Sequence, residues 1–270
     1  MSTPIAIDIV NYSTAPGLDE DLLAILTALG KQLAYHVQPF WGRTMPTLRL
    51  RSAPSSNASP LAIFDDADQA GAFGYHDQTP QGLPYGRVFA RTILSNGGTI
   101  KDGPSSVSVT LSHECLEIIG DPSVNWWADN VDGYSYAMEL CDAVEGDAYL
   151  IDDIHVSNFV LPAYFNPHAP AGTRLDYLHK LSRPFTMTRG GYQIRRRADG
   201  QVMNVFASAF PTWKRPLKDH PAARTLRRLQ KPYPYPAEVG ARRGQETPTT
   251  ETREDGTIVF EIAPDDIARA

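Results

Sequence analysis

The sequence is poor in cysteine. Cys115 and Cys141 are the only two in 270 residues, which excludes a disulfide framework and suits a reducing, cytoplasmic setting. Both thiols are expected to be buried and free, although a single bridge between them is the other option. Long apolar runs are also missing. No stretch approaches the roughly 20 apolar residues of a membrane-spanning helix, and Met1–Asp8 has neither a basic region nor a sustained apolar segment. Neither a membrane segment nor a secretory leader is therefore expected. A basic excess is absent too: 25 Lys and Arg stand against 31 Asp and Glu, for a net charge of -6. That balance argues against a nucleic-acid partner. The local runs Arg195–Arg197 and Arg224, Arg227, Arg228 read as solvated faces. No internal repeat is visible.

What is present is ordinary globular material, 42% hydrophobic and 21% charged, in a chain long enough for one large domain. Ile5–Val10 reads as a first strand. Leu18 to about Val37 places Leu22, Leu23, Leu26, Leu29, Leu33 and Val37 at helical spacing, with Asp19, Glu20 and Asp21 near the positive end. Strands are expected at Thr47–Arg51, Leu61–Asp65, Gly71–His76 and Gly86–Leu94, and then a helix over Val107–Ile119, stopped by Gly120 and Pro122. Further strands are expected at Ala148–Ile151 and Val156–Leu161. Tyr192–Arg197 and Val202–Phe206 flank a hairpin turn at Ala198–Gln201. From about Lys214 the chain turns proline-rich and polar and cannot build a core, so residues 214–270 read as a partly disordered or surface-wrapping tail. Within it, Ile258–Ile262 has the composition of a strand that could dock back.

The helix over Val107–Ile119 carries the chemistry. His113 and Glu117 are four residues apart, about 40° around the axis, and so project from one face. An imidazole nitrogen and a carboxylate oxygen are both competent metal donors. Glu114, beside that face, can reach a water activated by the metal and act as its base. Cys115 points away and is expected to pack. The alternative is a plain His113–Glu117 hydrogen bond with Glu114 solvated. The remaining histidines, His36, His76, His155, His168, His179 and His220, show no ligand spacing and are expected at the surface or satisfied in the core.

His113-Glu114-Cys115-Leu116-Glu117 is an H-E-x-x-E motif that resembles the H-E-x-x-H helix of zinc metallopeptidases, with Glu117 in place of the second histidine. Gly120 stands where the longer metzincin motif places a glycine that turns the chain back toward the metal. Ser123 falls at that motif's third-ligand position and is a poor donor. The third ligand is therefore Asp121, just after the helix, or Glu139 or Asp142 from a later element, as in gluzincins. Tyr136 or Tyr134, with His155, could line the cleft and stabilise an oxyanion.

The resemblance implies an α+β, zincin-like fold: a twisted mixed sheet backed by helices with an active-site helix, followed by a smaller irregular C-terminal subdomain. It spans residues 1–213, in halves 1–122 and 123–213. The implied activity is metal-dependent hydrolysis of a peptide or protein substrate, with Glu114 as the base and His113 and Glu117 on the metal, completed by Asp121 or Glu139. Zinc is the expected ion. A centre with several carboxylates and one histidine also suits Mn²⁺ or Ca²⁺. The competing expectation is a catalytically silent protein of the same fold, with a structural acidic cluster and a tail that contacts a protein partner.

Overall fold

Alternation along the first strands sets up two unlike faces. The computed structural model describes residues 6–207, except 70 and 80, together with the backbone of residues 249–252 and 258–261. β1 (Ala6–Asn11), β2 (Thr47–Arg51), β3 (Ser59–Phe64), β4 (Gly74–Gln78) and β5 (Pro84–Phe89) form one sheet in the order β2-β1-β3-β5-β4. β1, β2, β3 and β5 run parallel, and β4 lies at the edge, antiparallel to β5. Ile7, Ile9, Leu48, Leu61, Ile63 and Val88 share one face, where they join Leu22, Ile25, Leu26 and Leu29 of α1 (Leu18–Lys31) in the main core. The opposite face carries the Asp8–Arg49 ion pair and a cluster of Tyr75, Tyr85 and Phe89.

The expected helix over Leu18–Val37 is helical throughout but changes type. After α1 it widens into a π-helical segment, Gln32–Val37, and then continues as α2 (Gln38–Trp41). The wide turn starts at Gln32, which is buried and ties three elements together. Its amide donates to the Ser157 carbonyl at 2.9 Å and accepts from the Ser112 hydroxyl at 2.7 Å. The expected strand Gly86–Leu94 stops at Phe89. Beyond it, Ala90 and Ile93 are three residues apart and both buried, which is helical spacing, and the chain forms α3 (Ala90–Ser95). The strand expected at Gly71–His76 starts at Gly74 and runs on to Gln78.

α4 (Val107–Gly120) begins at Ser106, whose hydroxyl accepts the Val109 N–H at 3.3 Å. All 14 of its residues are buried, because it lies between β4 and β5 on one side and a later hairpin on the other. That hairpin is formed by β8 (Ala148–Ile151) and β9 (Ile154–Ser157), shorter and earlier than the strand expected at Val156–Leu161. Burying His113, Glu114 and Glu117 in such a helix is costly unless each finds a partner or an ion.

The second half is antiparallel. β6 (Trp127–Asp129), β7 (Tyr134–Ala137), β10 (Tyr192–Arg197) and β11 (Val202–Phe206) form a sheet in the order β11-β10-β7-β6, including the expected hairpin. Val144, Val160, Tyr164, Leu175 and Leu181 make its own small core. Between β7 and a 3₁₀ turn at Asp142–Val144, residues 138–141 run irregularly alongside the end of α4. The fold is thus α+β at the level of a mixed multi-stranded sheet with few helices. The tail expected from residue 214 lies outside the described residues, except for an antiparallel pair, β12 (Thr249–Thr252) and β13 (Ile258–Glu261), with β12 beside β2. Cys115 and Cys141 are both buried and free. No described helix is long and apolar enough to cross a membrane.

Candidate metal centre

Helical spacing turns Thr110, Glu114 and Glu117 of α4 toward the edge of the sheet, with His113 at the margin of that face. Alternation along β4 turns Gly74 and His76 to meet them. The approach is close because the strands offer glycines. A Cβ at Gly74 would lie 2.7 Å from Thr110 Cγ2 and 2.8 Å from Glu114 Oε1. Gly86, the cross-strand partner of His76, would likewise crowd Leu61 at 2.6 Å and Ile118 at 3.2 Å. Glu114 is consequently only 3% exposed, which corrects the alternative in which it is solvated.

Around Glu117 four further side chains converge. His113 Nε2 lies 2.9 Å from Glu117 Oε1 and 3.1 Å from Asp142 Oδ1. His76 Nδ1 lies 3.0 Å from Glu117 Oε2, and its Nε2 lies 3.7 Å from Glu139 Oε2. One carboxylate is therefore engaged on both oxygens, by imidazoles from two different elements. All five residues are buried. Burial opposes the charged form of His113, but the Glu117 carboxylate and the hydrogen bonds to Asp142 and Glu117 outweigh it, so the imidazole pKa stands well above its ordinary value. Burial pushes the neighbouring Cys141 thiol up, which keeps it protonated.

The donor set fits a divalent cation. His113, Glu117 and Asp142 each offer one atom within a group less than 4.8 Å across, and so do His76, Glu117 and Glu139. Donors about 2.1 Å from a tetrahedral ion sit roughly 3.4 Å from one another. The 2.9 and 3.1 Å separations around His113 need to open by only a few tenths of an ångström to reach that spacing. The mixture of imidazole and carboxylate is compatible with several divalent ions and selects none of them.

The two later carboxylates, Glu139 and Asp142, arrive by a device that sequence reading assigned differently. Gly120 is expected to turn the chain. It is instead the last residue of α4, is not among the glycines with positive φ, and makes room. A Cβ there would collide with Leu140 Cδ1 and lie 2.9 Å from Leu140 Cγ. Leu140 sits between Glu139 and Asp142, so its seat against Gly120 brings both carboxylates to the helix.

Other expected residues lie elsewhere. The Asp121 carboxylate accepts the backbone N–H of Asn125 at 3.1 Å and of Trp126 at 3.0 Å, bracing the turn after α4, and it belongs to neither group of donors. The Tyr136 hydroxyl donates to Asp132 at 2.6 Å, and its ring packs on Phe185 and beneath Arg195. Burial, with that carboxylate beside it, pushes the phenol up to about 12. His155 lies by the N-terminal end of α4, where its carbonyl accepts from Ser108 at 2.7 Å, more than a turn before His113. Cys115 packs in the core as expected.

His76 is the residue that sequence reading set aside. Its partners are 41 and 63 positions away in the chain, so no local spacing could reveal it. The available signal was a histidine two residues after a glycine, on one face of the strand that precedes the motif helix. Compared with protein-family models, with curated proteins and with solved structures, the chain matches none.

Proposed function

We propose that this protein is a metal-dependent hydrolase of zincin-like architecture that acts on peptide bonds. The observation that carries the reading is the convergence of His113, Glu117 and Asp142 from two separate segments onto one buried point. The element order supports it as well: four parallel strands and an antiparallel edge strand precede the helix that bears the motif. In this reading His113 and Glu117 hold the ion as the motif suggests, and Asp142 takes the third position, in preference to Asp121. A divalent ion there supplies Lewis acidity, which makes water a competent nucleophile near neutral pH. Glu114, next to His113 and packed against Gly74, takes the proton from the attacking water.

One observation favours the catalytically silent alternative. All five residues of the cluster are buried, and closed first shells are typical of structural ions whereas catalytic ones keep a position open. His113 is the most exposed of them, its side chain 9% accessible, so a substrate would have to approach from that side. Turnover of a peptide library by metal-loaded protein decides between the two. We expect hydrolysis that a chelator abolishes and that Glu114→Gln reduces about 100-fold or more, with metal content unchanged. Equal turnover in wild type and Glu114→Gln contradicts the role of Glu114. No metal-dependent turnover in wild type contradicts the hydrolase reading and leaves a structural ion.

A further inference from the structure

Each oxygen of Glu117 faces an imidazole: His113 meets its two carboxylates through Nε2 alone, and His76 meets Glu117 through Nδ1 and Glu139 through Nε2. Oε1 faces an imidazole, His113, backed by a second carboxylate, Asp142. Oε2 faces another imidazole, His76, also backed by a second carboxylate, Glu139. Each half has one nitrogen donor, one carboxylate of its own and a share in Glu117. Resting on the metal-centre reading above, we propose that Glu117 is a bridging ligand and that the centre holds two divalent cations. One is bound by His113 and Asp142, the other by His76 and Glu139.

Carboxylates that present one oxygen to each of two ions are a common way of holding metals about 3.5–4 Å apart. Paired centres built from glutamates and histidines on facing elements use the same donors. Charge points the same way. Glu114, Glu117, Glu139 and Asp142 are all buried in and beside the cluster, and four buried carboxylates match the charge of two divalent ions when both imidazoles are neutral ligands. The simpler arrangement has one ion at His113, with His76 a protonated imidazole that only orients Glu117. It accounts for the contact of His76 with Glu117, and metal content separates it from the two-ion arrangement.

The two positions differ in access. The side chains of His76, Glu117 and Glu139 are 0–2% exposed, whereas His113 reaches 9%. The His76 ion is therefore the enclosed one and exchanges slowly, and the His113 ion is the one that chelators and substrates reach first.

The test uses the full chain, stripped with chelator, reloaded with zinc, desalted and analysed for metal, in parallel with reloading by Mn²⁺ and electron paramagnetic resonance. The expected result is two zinc ions per chain, lost in a slow and a fast phase, and a spin-coupled manganese signal. His76→Gln and Glu139→Gln should each lower the content to one ion and convert the signal to that of an isolated Mn²⁺. One zinc per chain in wild type overturns the bridge while leaving the single-ion reading intact. Two zinc ions with an isolated manganese signal also overturn it, because the ions would not share Glu117. No bound metal overturns both readings. The wild-type measurements decide these outcomes even if a variant fails to fold.

Discussion

The five side chains of the cluster come from two kinds of chain. His76, His113 and Glu117 stand on regular elements, whose positions follow from strand register and helical spacing. Glu139 comes from the irregular passage after β7 and Asp142 from the first position of the short 3₁₀ turn that follows, where no extended ladder of hydrogen bonds sets the geometry. Individual contacts take their place. Leu140 seats on Gly120, the Leu140 carbonyl accepts the Val160 N–H at 2.7 Å, and the Ala143 carbonyl accepts the Thr188 N–H at 2.9 Å. If the cluster is a metal centre as proposed, its two halves should fail in different ways: the regular half when a donor is removed, the irregular half also when one seat is disturbed.

The largest effect is expected at the residue both groups share. Glu117→Gln should weaken metal binding by more than about 100-fold, beyond the loss seen when only an outer partner is removed. Titration against a chromophoric chelator measures it, and near wild-type affinity would break the comparison at its centre. Next come the two glycines. Gly120→Ala forces Leu140 from its seat and should cost about 1–3 kcal/mol of stability, together with metal affinity, because Glu139 and Asp142 move with Leu140. Gly74→Ala meets Thr110, Glu114 and the Arg87 carbonyl at 2.7–2.9 Å. It should cost a similar amount in thermal unfolding but spare the ion at His113, Glu117 and Asp142, since none of those donors lies on β4. If both variants lose metal equally, the distinction between the halves is lost.

A smaller contrast separates Asp121 from Asp142. Asp121→Asn weakens two backbone hydrogen bonds and should cost about 1–2 kcal/mol with full metal content, whereas Asp142→Asn should lose metal. Elemental analysis of both variants checks it. The smallest effect lies outside the cluster, where one carboxylate beside each sheet, Asp65 and Asp132, behaves in the same way. Burial would raise the Asp65 carboxyl, but hydrogen bonds from Ser13 and Thr14 and the Arg91 guanidinium hold it below its ordinary 3.8. Burial is likewise outweighed at Asp132, mainly by hydrogen bonds from Tyr136 and Tyr134. A carboxyl lowered in the folded state adds stability above its unfolded pKa and loses it as pH falls through the lower, folded value. Both therefore contribute at neutral pH and lose that contribution below about pH 4. Asp65→Asn and Asp132→Asn should each flatten the acid limb of a stability–pH curve, and an unchanged limb would contradict this.

Much of the sheet was legible because alternation and helical periodicity are local. β1, β2 and the β10–β11 hairpin fall within a residue or two of their expected ranges. Where Phe89 passes into Ala90, β-rich composition continued while the apolar spacing changed from two to three, and composition misled. Of the site, only the part on one helix could be seen: His113, Glu114 and Glu117. Glu139 and Asp142 were visible as acidic candidates, but their choice over Asp121 depended on Leu140 fitting Gly120, a contact between residues 20 apart. His76 depended on β4 lying at the sheet edge beneath α4, which strand order decides and a linear motif does not carry.

The central claim is that the cluster around Glu117 is a metal centre. Crystals grown from zinc-loaded protein, with diffraction recorded on both sides of the zinc absorption edge, test it most directly. The account predicts anomalous density among His113, Glu117 and Asp142, with a second peak beside His76 and Glu139. No anomalous peak in the cluster, with His113 still hydrogen-bonded to Glu117 and Asp142, would contradict it.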